Sequence, residues 1–469
     1  MLEGLEVSEV PHSSAAEKER LDAESVEKLG VRLVERLNQK KLVALEDVAQ
    51  VSDGNHLSIA SEFSDAVGVR YLRGQDISGE MVLDDGNPVF IPDSEYAKLT
   101  RSHIFENDVL VTIVGANTGY TALVHEAPEK LTANCKLGIV RVKREKAIEP
   151  AYLHAFLAGR YGQLQIDRAK RGGGQMGLIL PDLKALKVPR LGDAIETRVA
   201  MLSRRAYESR RDALELAAQA GTALLDALGL KNWRPPEPLS CVRNSRDAFR
   251  AGRLDAEHFQ PKFAALLAHL EATGQAKDLG AVLVTNQRGK QPDYADAGLP
   301  VVNSKHVAGG AVAIDGENRT ASHDAQTLLI QTGDVLMNGT GVGTIGRCAP
   351  YLHEERAIPD NHVTILRPMA GVDPIYLSVF LNSLAGQLQV AQRLRGSSGQ
   401  IELYPADIAQ FKVWIAPDAV QKQVREAVTQ SFSQKQRAAR LLEAAKRAVE
   451  IAIEDSEAAA LSYLEGVDA

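Results

Sequence analysis

Two loops that lie far apart in this 469-residue chain offer the same chemistry. RAKRGGGQ (168–175) and RLRGSSGQ (393–400) each run from basic residues into glycines and close on a glutamine. A backbone without Cβ atoms lets an oxyanion reach bare N–H groups, and neighbouring guanidinium or ammonium groups add charge. The candidate phosphate grippers are therefore Arg168, Lys170, Arg171 and the stretch Gly172 to Gln175 in the first loop. In the second they are Arg393, Arg395 and the stretch Gly396 to Gln400, with Ser398 inside it.

Other polar side chains are of the kinds that hydrogen-bond the edges of bases. The first half of the chain offers Arg73 and Gln75, then Asn117, Thr118 and Tyr120, then Asn134 and Lys136. The second offers Lys305 and His306, then Asn338, Thr340 and Arg347, then Asn361 and His362. The two sets fall at matched places but differ in identity, as two readers of different sequences would. Neutral drift of loops would leave the same trace. A good bidentate base contact is worth ~1–3 kcal/mol of discrimination.

The matched places come from an internal repeat, which decides the architecture when present. YLRGQDISGEMVLD (71–84) answers VVNSKHVAGGAVAID (301–315), and NDVLVTIVGANTGYTALV (107–124) answers GDVLMNGTGVGTIGRCAP (333–350). TANCKLGIVRVK (132–143) answers IPDNHVTILRP (358–368). The strongest match sets residues 149–191 against 373–417, keeping YL, FL, GQLQ, the Gly-rich loop and an apolar strand in order. RLDAE occurs at 20–24 and again at 253–257.

Within each copy, short apolar or alternating runs such as VLVTIV and LGIVRV read as strands broken by glycine turns. AYLHAFLAGRYGQLQIDRA and IYLSVFLNSLAGQLQVAQRL have helical spacing. The fold class is α/β (α+β). A long helix follows each copy. Its 4-3 seam runs through Ile195, Val199, Leu202, Ala206, Ser209, Ala213, Leu216, Ala220, Ala223 and Ala227. Moved on by about 225 residues it reads Val420, Val424, Ala427, Ser431, Gln434, Ala438, Leu441, Ala445, Ala448 and Ala452. A helix of about 35 residues is about 50 Å long. The spacing predicts that the two pair as an antiparallel coiled coil with internal pseudo-two-fold symmetry, their alanines allowing close approach.

The domain plan that follows is an N-terminal helical segment (1–40), a first recognition domain (41–191), a first spacer helix (192–229), a linker with a short helix (230–275), a second recognition domain (276–417) and a second spacer helix (418–465).

Several chemistries are set aside. The three cysteines are scattered, which argues against a disulfide framework or structural zinc. The 11 histidines show no H-x-x-x-H or H-E-x-x-H spacing, so metal chemistry is not expected. GVGTIG (341–346) fits a dinucleotide fingerprint, but its repeat partner GANTGY does not, so a turn is the better reading. GNPVF (86–90) lacks the second proline of an amino-methyltransferase motif, and no G-x-x-x-x-G-K-[ST] occurs. The polar start reads as no signal peptide, and no run is long enough for a membrane span, so a cytoplasmic protein is expected. Apolar content of 45% and charged content of 25% are those of a globular protein. The net charge of −7 counts against a free-standing nucleic-acid binder and suggests that partners supply part of the phosphate grip.

The tandem units, the paired helices and the late helix–Gly-loop–strand segment in both copies resemble the specificity (S) subunits of type I restriction-modification systems, over about nine-tenths of the chain. The resemblance implies a non-catalytic subunit whose two domains each read half of a bipartite, asymmetric double-stranded DNA site. It implies that the paired helices set the gap and dock two DNA adenine-N6 methyltransferase subunits, which recruit an ATP-driven translocase-nuclease. No cofactor is then expected on this chain, S-adenosylmethionine and ATP belonging to the partners. The segments at 1–40 and 230–275 depart from the usual pattern and leave open a related defence system. The alternative is a coiled-coil scaffold whose two β-rich adaptor domains bind protein.

Overall fold

A computed structural model of the chain describes residues 28–64, 67–78, 81–82, 88–144, 148–172, 177–308, 310–316, 318–396 and 401–468. The first RLDAE, the start of GNPVF, Gln175, Ser398 and Gln400 lie outside them. The chain divides into two units, Met1–Arg211 with Lys435–Ala469, and Asp212–Gln434.

The first unit opens with helix α1 (Lys28–Asn38). Its strands are β1 (Leu42–Ala44), β2 (Ala49–Asp53), β3 (Val69–Leu72), β4 (Ile77–Ser78), β5 (Met81–Val82), β6 (Phe90–Ile91), β7 (Val109–Thr112), β8 (Thr121–Leu123), β9 (Leu131–Ala133), β10 (Leu137–Val142) and β11 (Lys187–Pro189). Helices α2 (Leu45–Val48) and α3 (Asp93–Lys98) lie among the strands. Helices α4 (Pro150–Ala158), α5 (Arg160–Ala169) and α6 (Leu180–Ala185) precede β11, and the long α7 (Asp193–Ala227) follows it. Strands pair as β2-β10-β7-β8, β6-β3-β9, β1-β11 and β4-β5.

The second unit repeats this strand for strand. After α8 (Ser245–Ala251) and α9 (Pro261–Ala272) come β12 (Ala276–Asp278), β13 (Leu283–Arg288), β14 (Tyr294–Val302), β15 (Val307–Ala308), β16 (Ala311–Val312) and β17 (Thr320–Ala321). Then follow β18 (Val335–Asn338), β19 (Cys348–Pro350), β20 (Ile358–Pro359), β21 (Val363–Pro368), α10 (Pro374–Asn382), α11 (Leu384–Arg393), α12 (Pro405–Ile408) and β22 (Lys412–Trp414). The pairing is β13-β21-β18-β19, β17-β14-β20, β12-β22 and β15-β16. Each strand thus has its counterpart eleven strands on, down to the one parallel pairing in each three-stranded sheet, β3 with β9 and β14 with β20.

Side-chain contacts repeat as well. Asp108 and Arg141 form a two-pronged ion pair (2.8 and 2.7 Å) under the first sheet, and Asp334 and Arg367 repeat it (2.7 and 2.9 Å). Both aspartates are fully buried. Tyr152 donates to the Pro189 carbonyl and Tyr376 to the Trp414 carbonyl. The GQLQ signature explains itself here. Gln163 and Gln387 donate to the Gly119 and Gly346 carbonyls, clamping the β7–β8 and β18–β19 turns. Gln165 and Gln389 exchange two hydrogen bonds each with the backbones of Lys187 and Lys412. A Cβ on Gly386 would lie 2.1 Å from the Leu381 carbonyl oxygen, so only glycine fits where α10 meets α11.

The long helices pair in both units. In the first, Ile195, Val199, Leu202 and Ala206 share a core with Leu441, Ala445, Ala448 and Ala452 of α13 (Asp418–Glu454). In the second, Ala220 and Leu224 share a core with Val424 and Val428. The early half of one helix meets the late half of the other, so the pairing is antiparallel. The Ser431 hydroxyl donates to the Ala213 carbonyl (2.6 Å).

Two details differ from the sequence expectation. Beyond Ala220 the seam passes to Leu224 and Leu228, leaving Ala223 half-buried and Ala227 exposed, because larger side chains fill the space beside α9. The second long helix does not run to 465: it stops at Glu454, and α14 (Glu457–Asp468) begins afresh. The break lets Glu457 accept from the Gly192 backbone N–H (3.0 Å), closing the start of α7.

Candidate nucleic-acid interface

In the first unit one rim gathers five loops. The turn after β2 meets the β9–β10 turn through the Asn55–Asn134 bridge and the Cys135 N–H on the Asn55 carbonyl (2.9 Å). The β9–β10 turn meets the end of β7 through the Ile113 N–H on the Lys136 carbonyl (2.8 Å). The end of β7 in turn meets the Gly-rich hairpin through the Leu178 N–H on the Ile113 carbonyl (2.8 Å). Asn117 donates to the Ile77 carbonyl (3.4 Å) and so brings in the loop after β3. Gln75, Asn117, Tyr120, Asn134, Lys136, Lys170 and Arg171 therefore come together on this rim, with Gln75, Tyr120 and Lys136 exposed.

The second unit builds the corresponding rim. The Gly339 N–H donates to the His362 carbonyl (2.7 Å), and the Leu403 N–H donates to the Gly339 carbonyl (2.9 Å). Thr340 and His362 share a hydrogen bond between Oγ1 and Nδ1 (2.7 Å). Lys305, Arg347 and His362 face solvent, and Asn361 is half-buried beside them.

The described residues that flank each Gly-rich stretch are latched to one another. Arg171 and Gly177 exchange backbone hydrogen bonds (2.8 and 2.9 Å), and Arg395 and Glu402 do the same (3.0 and 2.8 Å). The Arg171 guanidinium grips Asp182 (2.7 and 2.8 Å), and the Arg395 guanidinium grips Asp407 (2.9 and 2.8 Å). Gly172 and Gly396 take φ of 117° and 103°, a region that L side chains avoid.

Several sequence candidates change role. Thr118, His306 and Asn338 are buried, and each bonds the backbone of a loop. Thr118 donates to the Gly115 carbonyl (2.6 Å), His306 Nδ1 accepts from the Asn303 N–H (3.1 Å), and Asn338 donates to the Ser304 carbonyl (3.1 Å). Through these bonds each of the three holds a loop. Arg73 is held by Asp76 (3.0 and 3.2 Å), and Lys170 by Asp167 (2.6 Å). Arg168 is half-buried near the end of α5. Arg393 is half-buried and, among the described residues, hydrogen-bonds to the Gln389 and Gln410 carbonyls and Gln392 Oε1; burial pushes its pKa down.

Sequence reasoning missed Arg101, which pairs with Asp53 on the first rim, and Arg288, which lies over the Tyr404 ring (5.2 Å) and donates to Gly339 and Leu403 on the second. Asp53 and Arg288 occupy matched register positions, opposite Gly138 and Thr364. One rim thus carries a carboxylate where the other carries a guanidinium. The register of the repeat was the signal that could have exposed this.

GVGTIG spans the turn between β18 and β19, with no helix after it, so the dinucleotide fingerprint has no frame. Among the described residues no group of His, Cys, Asp and Glu is placed to hold a metal ion, and no helix is long and apolar enough to cross a membrane.

Neither a family model nor a curated protein matches the chain. Solved structures do. The chain is similar to type I restriction-modification S subunits. One is the S subunit from M. genitalium, at 14% identity over 92% of this chain and 96% of that one, with a TM-score of 0.39. Another is the HsdS subunit from Thermoanaerobacter tengcongensis, at 15% identity over 87% and 96%, with a TM-score of 0.28. A chain from a type I R-M system studied for complex assembly and conformational transition matches at 15% identity over 91% and 97%, with a TM-score of 0.28.

Proposed function

We propose that this chain is the non-catalytic sequence-specificity subunit of a DNA-modifying complex of the type I restriction-modification kind. Each unit reads one half of a bipartite, asymmetric duplex site, and the paired helices α7 and α13 act as the spacer. DNA adenine-N6 methyltransferase subunits dock on the chain, with a translocase-nuclease joining them. S-adenosylmethionine and ATP are bound by those partners. The observation that carries this reading is the doubling of one rim with different exposed side chains at matched positions, Lys136 against His362 and Tyr120 against Arg347. Shared buried contacts under differing exposed rims are what two readers of different half-sites require.

The pairing of Arg171 and Arg395 with carboxylates favours the second reading, a scaffold whose two rims bind protein, because it lowers the free positive charge on both. Binding of labelled duplex by the full chain, with and without a DNA adenine methyltransferase partner, separates the two. The specificity reading predicts affinity that falls steeply with salt and drops when Lys136 and His362 are replaced by alanine. Salt-independent or absent binding under both conditions would favour the scaffold.

A further inference from the structure

The stretch between the two recognition units does more than connect them. In the second unit α8 and the turn after it lie against the end of α11. Arg253 is held by Asp255 (2.8 and 2.6 Å) and donates to the Leu394 carbonyl (2.9 Å). His258 Nδ1 donates to the Gln392 carbonyl (2.8 Å). These contacts satisfy carbonyls at the end of α11, where the helix leaves them without partners. They also enclose a cavity of about 240 Å³ whose wall is almost wholly polar. Arg250, Arg253, His258, Arg393 and Arg395 line it, and Asp407 is the one carboxylate among its lining residues.

Capping the helix accounts for Arg253 and His258, and the hairpin latch accounts for Arg395. It leaves two cations over. Arg250 is exposed at the mouth, with no ion pair or hydrogen-bond partner among the described residues. Arg393 sits deeper; among the described residues its hydrogen bonds go to uncharged oxygens, and the carboxylates of Asp407 and Asp278 act on it only through space. A half-buried guanidinium without a directly bonded carboxylate is costly unless an anion completes it. Arg395, one of the lining residues, also pairs with Glu402 beside the Gly-rich stretch that the functional reading sets against a nucleic-acid backbone.

We infer that Arg250 and Arg393 flank a site for one backbone phosphate of the DNA bound by the second unit, so that the inter-repeat segment is part of the DNA grip. This rests on the specificity-subunit reading. A phosphodiester suits the pocket because its two free oxygens can take one guanidinium each. It is also a contact without sequence information, which positions the unit rather than selecting bases.

The test is the salt dependence of duplex binding by the full chain, wild type against Arg250→Gln and Arg393→Gln. Arg250 holds nothing in place, so its variant folds as the wild type does. Loss of one phosphate contact should lower the magnitude of the log K against log salt slope by about one. Affinity should fall several-fold, equally on unrelated duplex sequences. An Arg250→Gln variant with wild-type slope and affinity, while the wild type binds DNA with clear salt dependence, overturns the pocket and leaves the specificity reading standing. A wild type that binds no duplex at any salt overturns both. Inorganic phosphate that stabilises the wild type but not Arg250→Gln, with unchanged DNA slopes, would make the pocket a free-anion site and overturn the DNA contact.

Discussion

Arg171 and Asp182 face each other across the base of a glycine hairpin at 2.7 and 2.8 Å, and Arg395 and Asp407 repeat the arrangement in the second unit. Both arginines are about half exposed, so each pair is screened and contributes little to global stability, on the order of 0–1 kcal/mol. The contribution is local. Asp182→Asn and Asp407→Asn should leave the unfolding midpoint nearly unchanged. They should raise amide exchange at Gly177 and Glu402, whose N–H groups close the hairpins. Protection unchanged from wild type would show that the backbone alone fixes each hairpin.

The second repeated pair should behave in the opposite way. Asp334 is fully buried and receives two hydrogen bonds from Arg367, which also donates to the Leu329 carbonyl (3.1 Å). Removing one partner of a buried pair leaves an uncompensated charge, at a cost of about 3 kcal/mol. Asp334→Ala should lower stability in urea by about that much, far more than Asp407→Asn. Equal effects would contradict the assignment of one pair to the core and the other to the rim.

His154 predicts a pH dependence. It is fully buried beside Tyr207, and desolvation lowers its pKa from the ordinary 6.5 to about 4. The folded state holds it neutral, whereas the unfolded chain protonates it below about pH 6.5. Its stabilising contribution is therefore complete above pH 6.5 and is lost as pH falls from there towards 4, by roughly 3 kcal/mol in total. Urea midpoints measured from pH 7 to 4.5 should fall steeply in the wild type and less steeply in His154→Gln. Parallel curves would exclude His154 as the source.

Gly386 supplies a prediction about the GQLQ signature. A methyl group there would collide with the Leu381 carbonyl, which belongs to backbone and cannot swing aside. Gly386→Ala should destabilise the chain by more than about 2 kcal/mol, where the same change at an open helical site would stabilise it by about 0.4–1 kcal/mol. Circular dichroism on denaturant titration would register it, and a wild-type midpoint would mean that the α10–α11 junction opens freely.

The repeat, the strand-rich units and the long paired helices were legible because each leaves a pattern of residue types along the chain. The seam from Ile195 to Ala220 was read from spacing alone. Its drift to Leu224 and Leu228 was not, since which alanine yields depends on what lies beside the helix. The end of α13 at Glu454 was hidden because the 455–468 stretch keeps helical composition through the break. On the rim, sequence gave positions but not burial. Asn338 and Thr340 are two residues apart and look alike as readers, yet one is wholly inside. The Arg171 latch escaped notice because its carboxylate lies eleven residues further on, across a loop. The role of the GQLQ motif is not legible in sequence, because its glutamines act on the backbone, which has no sequence signature.

The central claim is that two separate readers share one chain, and a swap tests it most directly. Residues 41–191 would be replaced by the corresponding domain of another S subunit with a different specificity. The hybrid would be expressed with a DNA adenine methyltransferase partner, and the methylated motif would be read by methylation-sensitive sequencing. The account predicts that one half of a bipartite motif changes while the other half stays as the parent chain sets it. A motif that changes in both halves, or in neither, would contradict it.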